Sequence, residues 1–308
     1  PPSLVMCRFF LYNSSLASPL PLSHMLLNPS HSIIVQSYEA KERKVSYDLP
    51  PALNADGCGI GWYPTQESEP VVLVSVLPAW SAGNMRRAAE GLKGTAVLAH
   101  VRAAPVGSAI CEQNCHPFYD PVSGVLFAHN GHVAGFAQHR KDVVSALPAD
   151  IFNQIQGTTD SEYAFALIRA AARARGNEGR LTPDALVDAV CDAIDTLEVL
   201  PGTAGSLLNF ALATKDVIAV TRYVIGGTSA GASLYYAVDK SGLSECGRFL
   251  HQDEVRPRCS LVASEPVTSM AEEWCPVPSS SLLLIERSTD RSFLIPIDPS
   301  SRSAATTA

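Results

Sequence analysis

The order of strand and helix signals along the chain restricts its fold more than any other feature of the sequence. Short apolar runs of the strand type occupy both ends, whereas helical patterns lie mainly in the middle. This order does not suit alternating strand–helix–strand units. It favours an α+β fold in which two mainly antiparallel sheets pack together and helices cover their outer faces. The predicted strands cover residues 7–12, 32–36, 59–63, 71–77, 95–102, 125–129, 206–213, 217–223, 233–238, 260–264, 281–286 and 292–296.

Two of the predicted helices carry clear start signals. Residues 160–175 follow Thr159, which is the predicted N-cap, and Glu162 completes a capping box pattern three residues later. Residues 183–197 follow Thr182, a second N-cap candidate. Further helices are predicted at 81–93 and 136–147. All of them are expected to lie outside the sheets.

No glycine-rich or proline-rich linker divides the 308 residues, so we expect one domain, which covers residues 7–298. Residues 1–6 are expected to be an extension that the mature protein lacks. Residues 299–308 are small and polar, which predicts a disordered tail.

Composition argues against several classes of partner. Hydrophobic residues make up 46% of the chain and charged residues 17%, so a sizeable core is expected. The net charge of -7 and the shortness of the basic runs argue against a nucleic-acid partner. No apolar run approaches the roughly 20 residues that span a bilayer, so we expect no membrane partner. Eight scattered cysteines in a chain of this length are typical of reduced thiols, which predicts a cytoplasmic protein.

Three short segments contain polar residues that each have an ordinary structural explanation. Arg102 ends the strand in LAHVRAAPVGS, where an arginine is commonly a solvated surface residue. Asn130 and Gly131 in LFAHNGHV form a dipeptide typical of hairpin turns. Asp160 in GTTDSEYAFAL lies in the first turn of a predicted helix, where an acidic residue complements the helix dipole. Taken one at a time, these residues do not indicate a function.

Taken together, the same residues match the groups of a γ-glutamyl substrate. The guanidinium of Arg102 suits the α-carboxylate, and the carboxylate of Asp160 suits the α-ammonium. The side-chain amide of Asn130 and the backbone N–H of Gly131 suit the oxyanion that forms at the γ-carbonyl. Such a site needs a nucleophile. Cys7 in MCRFFLYN is the candidate, although taken alone it is better explained as a buried strand residue.

Cys111, Cys115 and His116 raise the question of a metal site. Taken with His129 and His132, their spacing does not fit the usual zinc pattern well, in which two to four residues separate two cysteines and three to five separate two histidines. The glycines in LNADGCGIGWY are not followed by the Gly-Lys-Ser/Thr of a phosphate loop. We therefore expect no metal and no cofactor.

Several motifs occur in an order that resembles one known family. They are MCRF at 6–9, NADGCGIGWY at 54–63, HVRA at 100–103, NCHPF at 114–118, HNG at 129–131, TDSE at 159–162, LNFA at 208–211, AVTRY at 219–223 and ASEP at 263–266. As a set they resemble the class II glutamine amidotransferases of the N-terminal-nucleophile hydrolase superfamily, over most of the chain. Within that family, the segment 29–43 is most similar to the amidotransferase-like subunits of glutathione-degrading complexes. The γ-glutamyl hydrolases of the ergothioneine pathway are similar as well.

This resemblance implies a four-layer αββα sandwich and a role for each candidate residue. Cys7 would be the nucleophile, Arg102 and Asp160 would bind the glutamyl α-carboxylate and α-ammonium, and Asn130 and Gly131 would form the oxyanion hole. The implied reaction is hydrolysis of a γ-glutamyl amide bond, in glutathione or a related compound, through a thioester. A metallopeptidase-like protein partner is also implied. The alternatives are a glutaminase subunit that delivers ammonia to a synthetase, and an inactive regulatory subunit.

Two features of the sequence bear on whether this site is active. Pro105 stands where the family usually has a threonine that helps to hold the substrate carboxylate, so weaker binding is expected. The thiol also requires a base, and a free α-amine with a pKa of about 7.7–8.0 can serve. Only the first residue of a chain carries such an amine. Cys7 is therefore expected to begin the mature protein.

Overall fold

The computed structural model describes residues 6–15, 19–42, 53–105, 107–227, 231–240 and 258–298. The predicted tail and all of the predicted extension except Met6 lie outside these ranges. The strands are β1 (Arg8–Ser14), β2 (Leu20–Pro21), β3 (Cys58–Tyr63), β4 (Val71–Ser75), β5 (Lys93–Gly94), β6 (Ala96–Val101), β7 (Phe118–Asp120), β8 (Val125–His132), β9 (Leu207–Ala213), β10 (Val217–Arg222), β11 (Tyr235–Lys240), β12 (Cys259–Ala263), β13 (Cys275–Pro276), β14 (Ser281–Glu286) and β15 (Ser292–Pro296). The helices are α1 (Ser23–Leu26), α2 (Ile33–Tyr38), α3 (Gly83–Gly91), α4 (Phe136–Ser145), α5 (Ala149–Phe152), α6 (Asp160–Ala174) and α7 (Pro183–Glu198).

The first large sheet places the start of the chain at its centre. Its seven strands follow the order β13-β11-β12-β1-β6-β3-β4, and neighbouring strands are antiparallel. The central strand β1 pairs with β12 on one side and with β6 on the other. Arg8 pairs with Val101. Cys7, which precedes Arg8, and Arg102, which follows Val101, therefore lie at the same end of the sheet.

The second large sheet carries Asn130 and Gly131. Its six strands follow the antiparallel order β15-β14-β10-β9-β8-β7. In the pair β8–β9, Asn130 lies opposite Asn209 and Gly131 lies opposite Leu208. The Asn-Gly dipeptide thus continues a strand, and the hairpin-turn explanation is wrong. The predicted strand 125–129 was too short for the same reason, since pairing with β9 holds the chain extended to the end of β8.

Three buried apolar clusters separate the layers of the molecule. One face of each sheet, represented by Phe9 and Leu126, contributes to a cluster between the two sheets. The outer face of the first sheet, with Phe10, packs against α1–α3. The outer face of the second sheet, with Phe127, packs against α4–α7. Because successive strand residues point to opposite faces, a central strand such as β1 or β8 supplies two of these clusters. The predicted α+β fold, a four-layer αββα sandwich, is confirmed.

The two long helices begin where their capping signals predict. The N–H of Glu162 donates to Thr159 Oγ1 at 3.4 Å, and the N–H of Ala185 donates to Thr182 Oγ1 at 3.3 Å. The carboxylate of Glu162 does not complete a capping box, because it accepts the N–H groups of the preceding residues 156 and 157 instead. None of the helices in the described ranges is long and apolar enough to cross a bilayer.

The strand predicted at 32–36 is wrong, because this segment belongs to helix α2. Its run of β-branched residues suggested a strand, but Ser32 Oγ accepts the N–H of Val35 at 3.4 Å and caps a helix. Ile33 on this helix is buried against the first sheet. The short helix α1 was not predicted at all. The strand predicted at 233–238 is β11, which begins two residues later.

Candidate active site

Cys7 lies just before β1 at one end of the sandwich and is 9% exposed. The backbone N–H of Ala103 donates to its Sγ at 3.4 Å. Burial raises the pKa of the thiol, whereas the Ala103 N–H and the positive charge of Arg102 lower it and the negative charge of Asp160 raises it again. The net effect is a raised pKa. The thiol is therefore protonated at neutral pH and needs a base before it can act as a nucleophile.

Arg102 follows β6 and is only 3% exposed, so the explanation as a surface residue is wrong. Its Nη1 donates to the carbonyl oxygen of Ala109 at 3.1 Å and, at 3.4 Å, to that of Asp56. Its Nη2 donates to Ser108 Oγ at 2.9 Å. Within the described ranges, no carboxylate forms an ion pair with this guanidinium. Arg102 is thus a buried cation held by neutral oxygens, which leaves its charge available to an anionic ligand.

Asp160 begins helix α6, and backbone groups fix its carboxylate. The N–H of Val133 donates to Oδ2 at 2.7 Å, and the N–H of Ser161 donates to Oδ1 at 2.9 Å. Val133 directly follows β8, so Asp160 is tied to the strand that carries Asn130. Its negative charge raises the pKa of the Cys7 thiol, whereas the positive charge of Arg102 lowers it. One anionic and one cationic side chain therefore flank the predicted nucleophile.

Asn130 reaches from the second sheet toward the strand that follows Cys7. The residue is fully buried, and its Nδ2 donates to Ser264 Oγ at 3.2 Å. The same hydroxyl oxygen accepts the N–H of Phe9, two residues after Cys7, at 3.0 Å. Gly131 follows, and any Cβ at that position would overlap the carbonyl oxygen of Leu207 on β9. Only glycine fits there, because the backbones of β8 and β9 approach so closely.

Two donors converge on the peptide group that precedes Cys7. Asn54 Nδ2 donates to the carbonyl oxygen of Met6 at 2.8 Å, and Arg8 Nη1 donates to the same oxygen at 3.2 Å. Arg8 Nη1 also donates to the carbonyl oxygen of Cys7 at 3.0 Å. The opposite side of the Arg8 guanidinium meets the carboxylate of Glu265, with 3.2 Å between Nε and Oε1. These contacts hold the backbone around Cys7 from two sides.

Three histidines adjoin the predicted site in sequence, and all three are neutral at physiological pH. Burial lowers the pKa of His100 to about 3, and it also lowers the pKa values of His116 and His129. Nε2 of His100 hydrogen-bonds the carbonyl oxygen of His129 at 3.2 Å. Among the described residues, no histidine hydrogen-bonds the thiol of Cys7. The base that the thiol requires is not among these hydrogen-bonded imidazoles.

The structure brings the five residues predicted from sequence, Cys7, Arg102, Asn130, Gly131 and Asp160, to one end of the sandwich. Sequence reasoning gave no role to five other residues. Arg8, Ser108 and Ser264 hydrogen-bond Cys7, Arg102 and Asn130, respectively. Asn54 bonds the Met6 carbonyl oxygen, and Glu265 pairs with Arg8. All but Ser108 belong to the motifs that carried the family resemblance. That membership was the available signal. It was not used because none of these residues matches a group of the substrate.

Comparison with known proteins supports a family assignment. The family model described as glutamine amidotransferases class-II matches residues 37–222. The chain is 33% identical over 303 residues to "Probable glutamine amidotransferase DUG3" of Saccharomyces cerevisiae, which spans 92% of this chain and 83% of that protein. It is 32% identical over 128 residues to "Gamma-glutamyl-hercynylcysteine sulfoxide hydrolase" of Mycolicibacterium smegmatis. That second match spans 42% of this chain and 52% of the relative.

Solved structures support the fold. A glutamine aminotransferase class-II domain protein from Silicibacter pomeroyi has a TM-score of 0.58 and 22% identity, over 95% of this chain and all of that one. Glutamine phosphoribosylpyrophosphate amidotransferase from Bacillus subtilis also has a TM-score of 0.58, with 16% identity over 95% of this chain and 49% of its own. At these identities the likeness concerns the arrangement of layers and strands.

Proposed function

This chain belongs to the class II glutamine amidotransferases and is a hydrolase of γ-glutamyl amide bonds, and we propose that its substrate is glutathione or a related γ-glutamyl compound. The observation that carries the proposal is the pair of opposite charges beside Cys7. The charge of Arg102 lowers the pKa of the Cys7 thiol, and the charge of Asp160 raises it. A glutamyl group presents one carboxylate and one ammonium at its α-carbon, so this pair matches it and fixes its orientation.

In the proposed mechanism, the Cys7 sulfur attacks the γ-carbonyl carbon while its proton moves to the α-amine of the same residue. The Asn130 side-chain amide and the Gly131 N–H stabilise the oxyanion of the tetrahedral intermediate. Collapse of the intermediate breaks the C–N bond, and the proton passes to the leaving nitrogen. The γ-glutamyl thioester is then attacked by water, which releases glutamate and restores the thiol.

The raised pKa of the Cys7 thiol supports the α-amine as the base, and this role requires that Met6 be absent from the mature protein. The Met6 carbonyl occupies the donors of Asn54 and Arg8. Once the Met6–Cys7 bond is cleaved, these two donors lose this acceptor and the Cys7 nitrogen becomes a free amine. We propose that Cys7 is the first residue of the active enzyme and that residues 1–6 are not part of it.

Ser108 supplies the hydroxyl that Pro105 cannot. Its Oγ accepts a hydrogen bond from Arg102 Nη2, which leaves its own proton free to donate. A substrate carboxylate beside this guanidinium would accept that proton together with the guanidinium N–H groups. We propose that Ser108 thereby takes the place of the threonine that the family resemblance leads one to expect at Pro105.

A protein partner with peptidase chemistry is part of the proposal. Hydrolysis of the γ-glutamyl bond of glutathione releases the dipeptide cysteinylglycine along with glutamate. Complete breakdown then requires a second enzyme that cleaves an ordinary peptide bond. A metallopeptidase-like partner would supply that activity.

Glutamate release from glutathione and from glutamine tests the proposed function. The full chain beginning at Cys7 is expected to release glutamate from glutathione, and intact mass measurement of the native protein should show Cys7 as its first residue.

Cys7→Ala should abolish release without lowering Tm. Asn130→Ala should lower kcat by roughly 10²–10³-fold, the usual effect of losing one oxyanion donor.

Two results would contradict the proposal. Glutamine turnover without glutathione turnover would indicate an ammonia-delivering glutaminase. Inactivity of the correctly started chain toward both substrates, with and without a peptidase partner, would indicate a regulatory subunit.

A further inference from the structure

We infer that Ser264 positions the side chain of Asn130 relative to the strand that carries Cys7. The inference rests on the proposed function, because that function makes Asn130 an oxyanion donor. Ser264 itself does not touch the reacting atoms. It acts through Asn130.

Ser264 is joined to β1 through the backbone of Phe9. Ser264 follows β12 and is fully buried. Its backbone N–H donates to the carbonyl oxygen of Phe9 at 3.1 Å, and its Oγ accepts the N–H of Phe9 at 3.0 Å. Both backbone groups of Phe9 are therefore satisfied by one residue. Since Phe9 is two residues from Cys7, the Ser264 hydroxyl has a fixed position relative to the nucleophile.

The same hydroxyl also reaches the other sheet. Its oxygen also accepts a hydrogen bond from Asn130 Nδ2 at 3.2 Å. A hydroxyl oxygen has two acceptor sites, and Phe9 and Asn130 use both. One atom thus joins the strand of the predicted nucleophile in the first sheet to the strand of the predicted oxyanion hole in the second.

The bond to Ser264 uses only part of the hydrogen-bonding capacity of the Asn130 side chain. A side-chain amide carries two N–H donors. One is directed to Ser264, and the other has no partner among the described residues, so it can serve an oxyanion. Asn130 Oδ1 is buried and has no hydrogen-bond partner in the described part of the chain. The bond to Ser264 is therefore the anchor that sets the rotation of this amide, and oxyanion stabilisation depends on donors held in place before the reaction.

A double-mutant cycle in the mature protein tests the inference. Ser264→Ala is expected to lower kcat for glutathione by roughly 10–100-fold, since displacement of a catalytic group by about 1 Å can cost 10²-fold. KM should change less than about twofold, because Arg102 and Asp160 are untouched. In an Asn130→Ala background the same substitution should lower kcat by less than about threefold, since it acts through a side chain that is no longer there.

Two further comparisons separate the hydroxyl from general stability. Ser264→Thr keeps a hydroxyl and Ser264→Val removes it at nearly the same volume, so the valine variant should have the lower kcat even if Ser264→Ala folds poorly. Ser260 lies on the same strand and is also buried, and its Oγ donates to Asp290 Oδ1 at 2.7 Å. Ser260→Ala should lower Tm while kcat stays unchanged.

An unchanged kcat in Ser264→Ala would overturn the inference, as would equal values for the threonine and valine variants. An equal loss of kcat in the presence and absence of Asn130 would overturn it too, because Ser264 would then act independently of Asn130. In each of these cases the proposed function stands, since the unmodified protein and Asn130→Ala behave as expected. Lack of glutathione hydrolysis by the unmodified protein would overturn the proposed function and the inference together.

Discussion

At the scale of single residues, Arg102 shows how burial can prepare a side chain for a ligand. Two backbone carbonyls and the Ser108 hydroxyl hold its guanidinium in place. None of these oxygens carries a full charge, so the positive charge is oriented without being neutralised. A cation in this state binds a carboxylate more strongly than one already paired with an acid.

Arg102→Ala should raise KM for glutathione by roughly 10–100-fold, because hydrogen bonds to a charged partner contribute about 1.5–3 kcal/mol. Ser108→Ala should raise it by roughly 3–10-fold, since only one hydrogen bond is lost. Ser145→Ala serves as the control, because that exposed serine donates to the Lys141 carbonyl oxygen within its own helix α4. Initial-rate kinetics would check these values. Unchanged KM in both variants would mean that the Arg102 guanidinium is structural.

At the scale of elements, glycines allow neighbouring backbones to approach closely around the site. A Cβ at Gly59 in β3 would overlap the carbonyl oxygen of His116, and one at Gly131 in β8 would overlap that of Leu207. Strands with larger residues at these positions would have to separate. The glycines therefore determine how near the loop 111–117 and the strand β9 lie to the site.

Gly59→Ala should destabilise the protein by about 1–3 kcal/mol or more, because the methyl group meets backbone that cannot move aside without breaking other contacts. Gly91→Ala is the matched control. It ends helix α3 in open space, so alanine there should be neutral or stabilise by up to about 1 kcal/mol. Urea unfolding would measure both. Equal stability of Gly59→Ala and the parent would show that the loop 111–117 is not held against β3.

At the scale of the whole molecule, hydrogen bonds join the two sheets at both ends of the sandwich. The bond between Ser264 and Asn130 lies at the site end. At the other end, the buried Arg287 donates from Nε to Asn13 Oδ1 at 2.9 Å and from Nη1 to the carbonyl oxygen of Thr214 at 2.8 Å. Asn13 belongs to the first sheet and Thr214 follows β9 of the second. The spacing of the sheets is thus set by polar contacts as well as by the apolar cluster between them.

Glu265 connects β1, the segment after α2 and the residues around Cys7, and it should make stability depend on acid pH. Burial alone raises its pKa. Hydrogen bonds from His31 and from the Lys41 N–H, with the charge of Arg8, lower the pKa from 4.5 to about 2. Because the pKa of Glu265 is lower in the folded protein than in the unfolded chain, its carboxylate stabilises the fold fully when the pH is above the pKa of the unfolded chain. This contribution, about 3 kcal/mol, is lost as the pH falls from about 4.5 to about 2.

Glu265→Gln should therefore lower the free energy of unfolding at pH 7 and flatten its dependence on pH between about 4.5 and 2. Urea unfolding at a series of pH values would measure this. Glu90→Gln is the control, because its carboxylate is exposed on helix α3 and pairs with Arg86 of the same helix. Parallel pH curves for Glu265→Gln and the parent would contradict the low pKa of Glu265.

The layers and most elements could be predicted from sequence, because strand and helix periodicity and N-caps such as Thr159 are local signals. The segment 32–36 could not, because its β-branched residues favour a strand and only packing on the first sheet decides for a helix. The candidate site was predictable where a side chain matches a group of the substrate, as with Arg102. Ser264 was not, because its function depends on Phe9 and Asn130, which are 255 and 134 residues away in sequence.

The contacts around the Met6 carbonyl also bear on how the enzyme can be produced in the laboratory. An affinity tag fused ahead of this chain would keep an acyl group on the Cys7 nitrogen, and Asn54 and Arg8 would hold that group in place. If Cys7 is the first residue of the active enzyme, as proposed, such a preparation would fold and be inert. The lack of activity would then come from the tag and not from the natural enzyme. A protease that cuts directly before Cys7 would restore the activity.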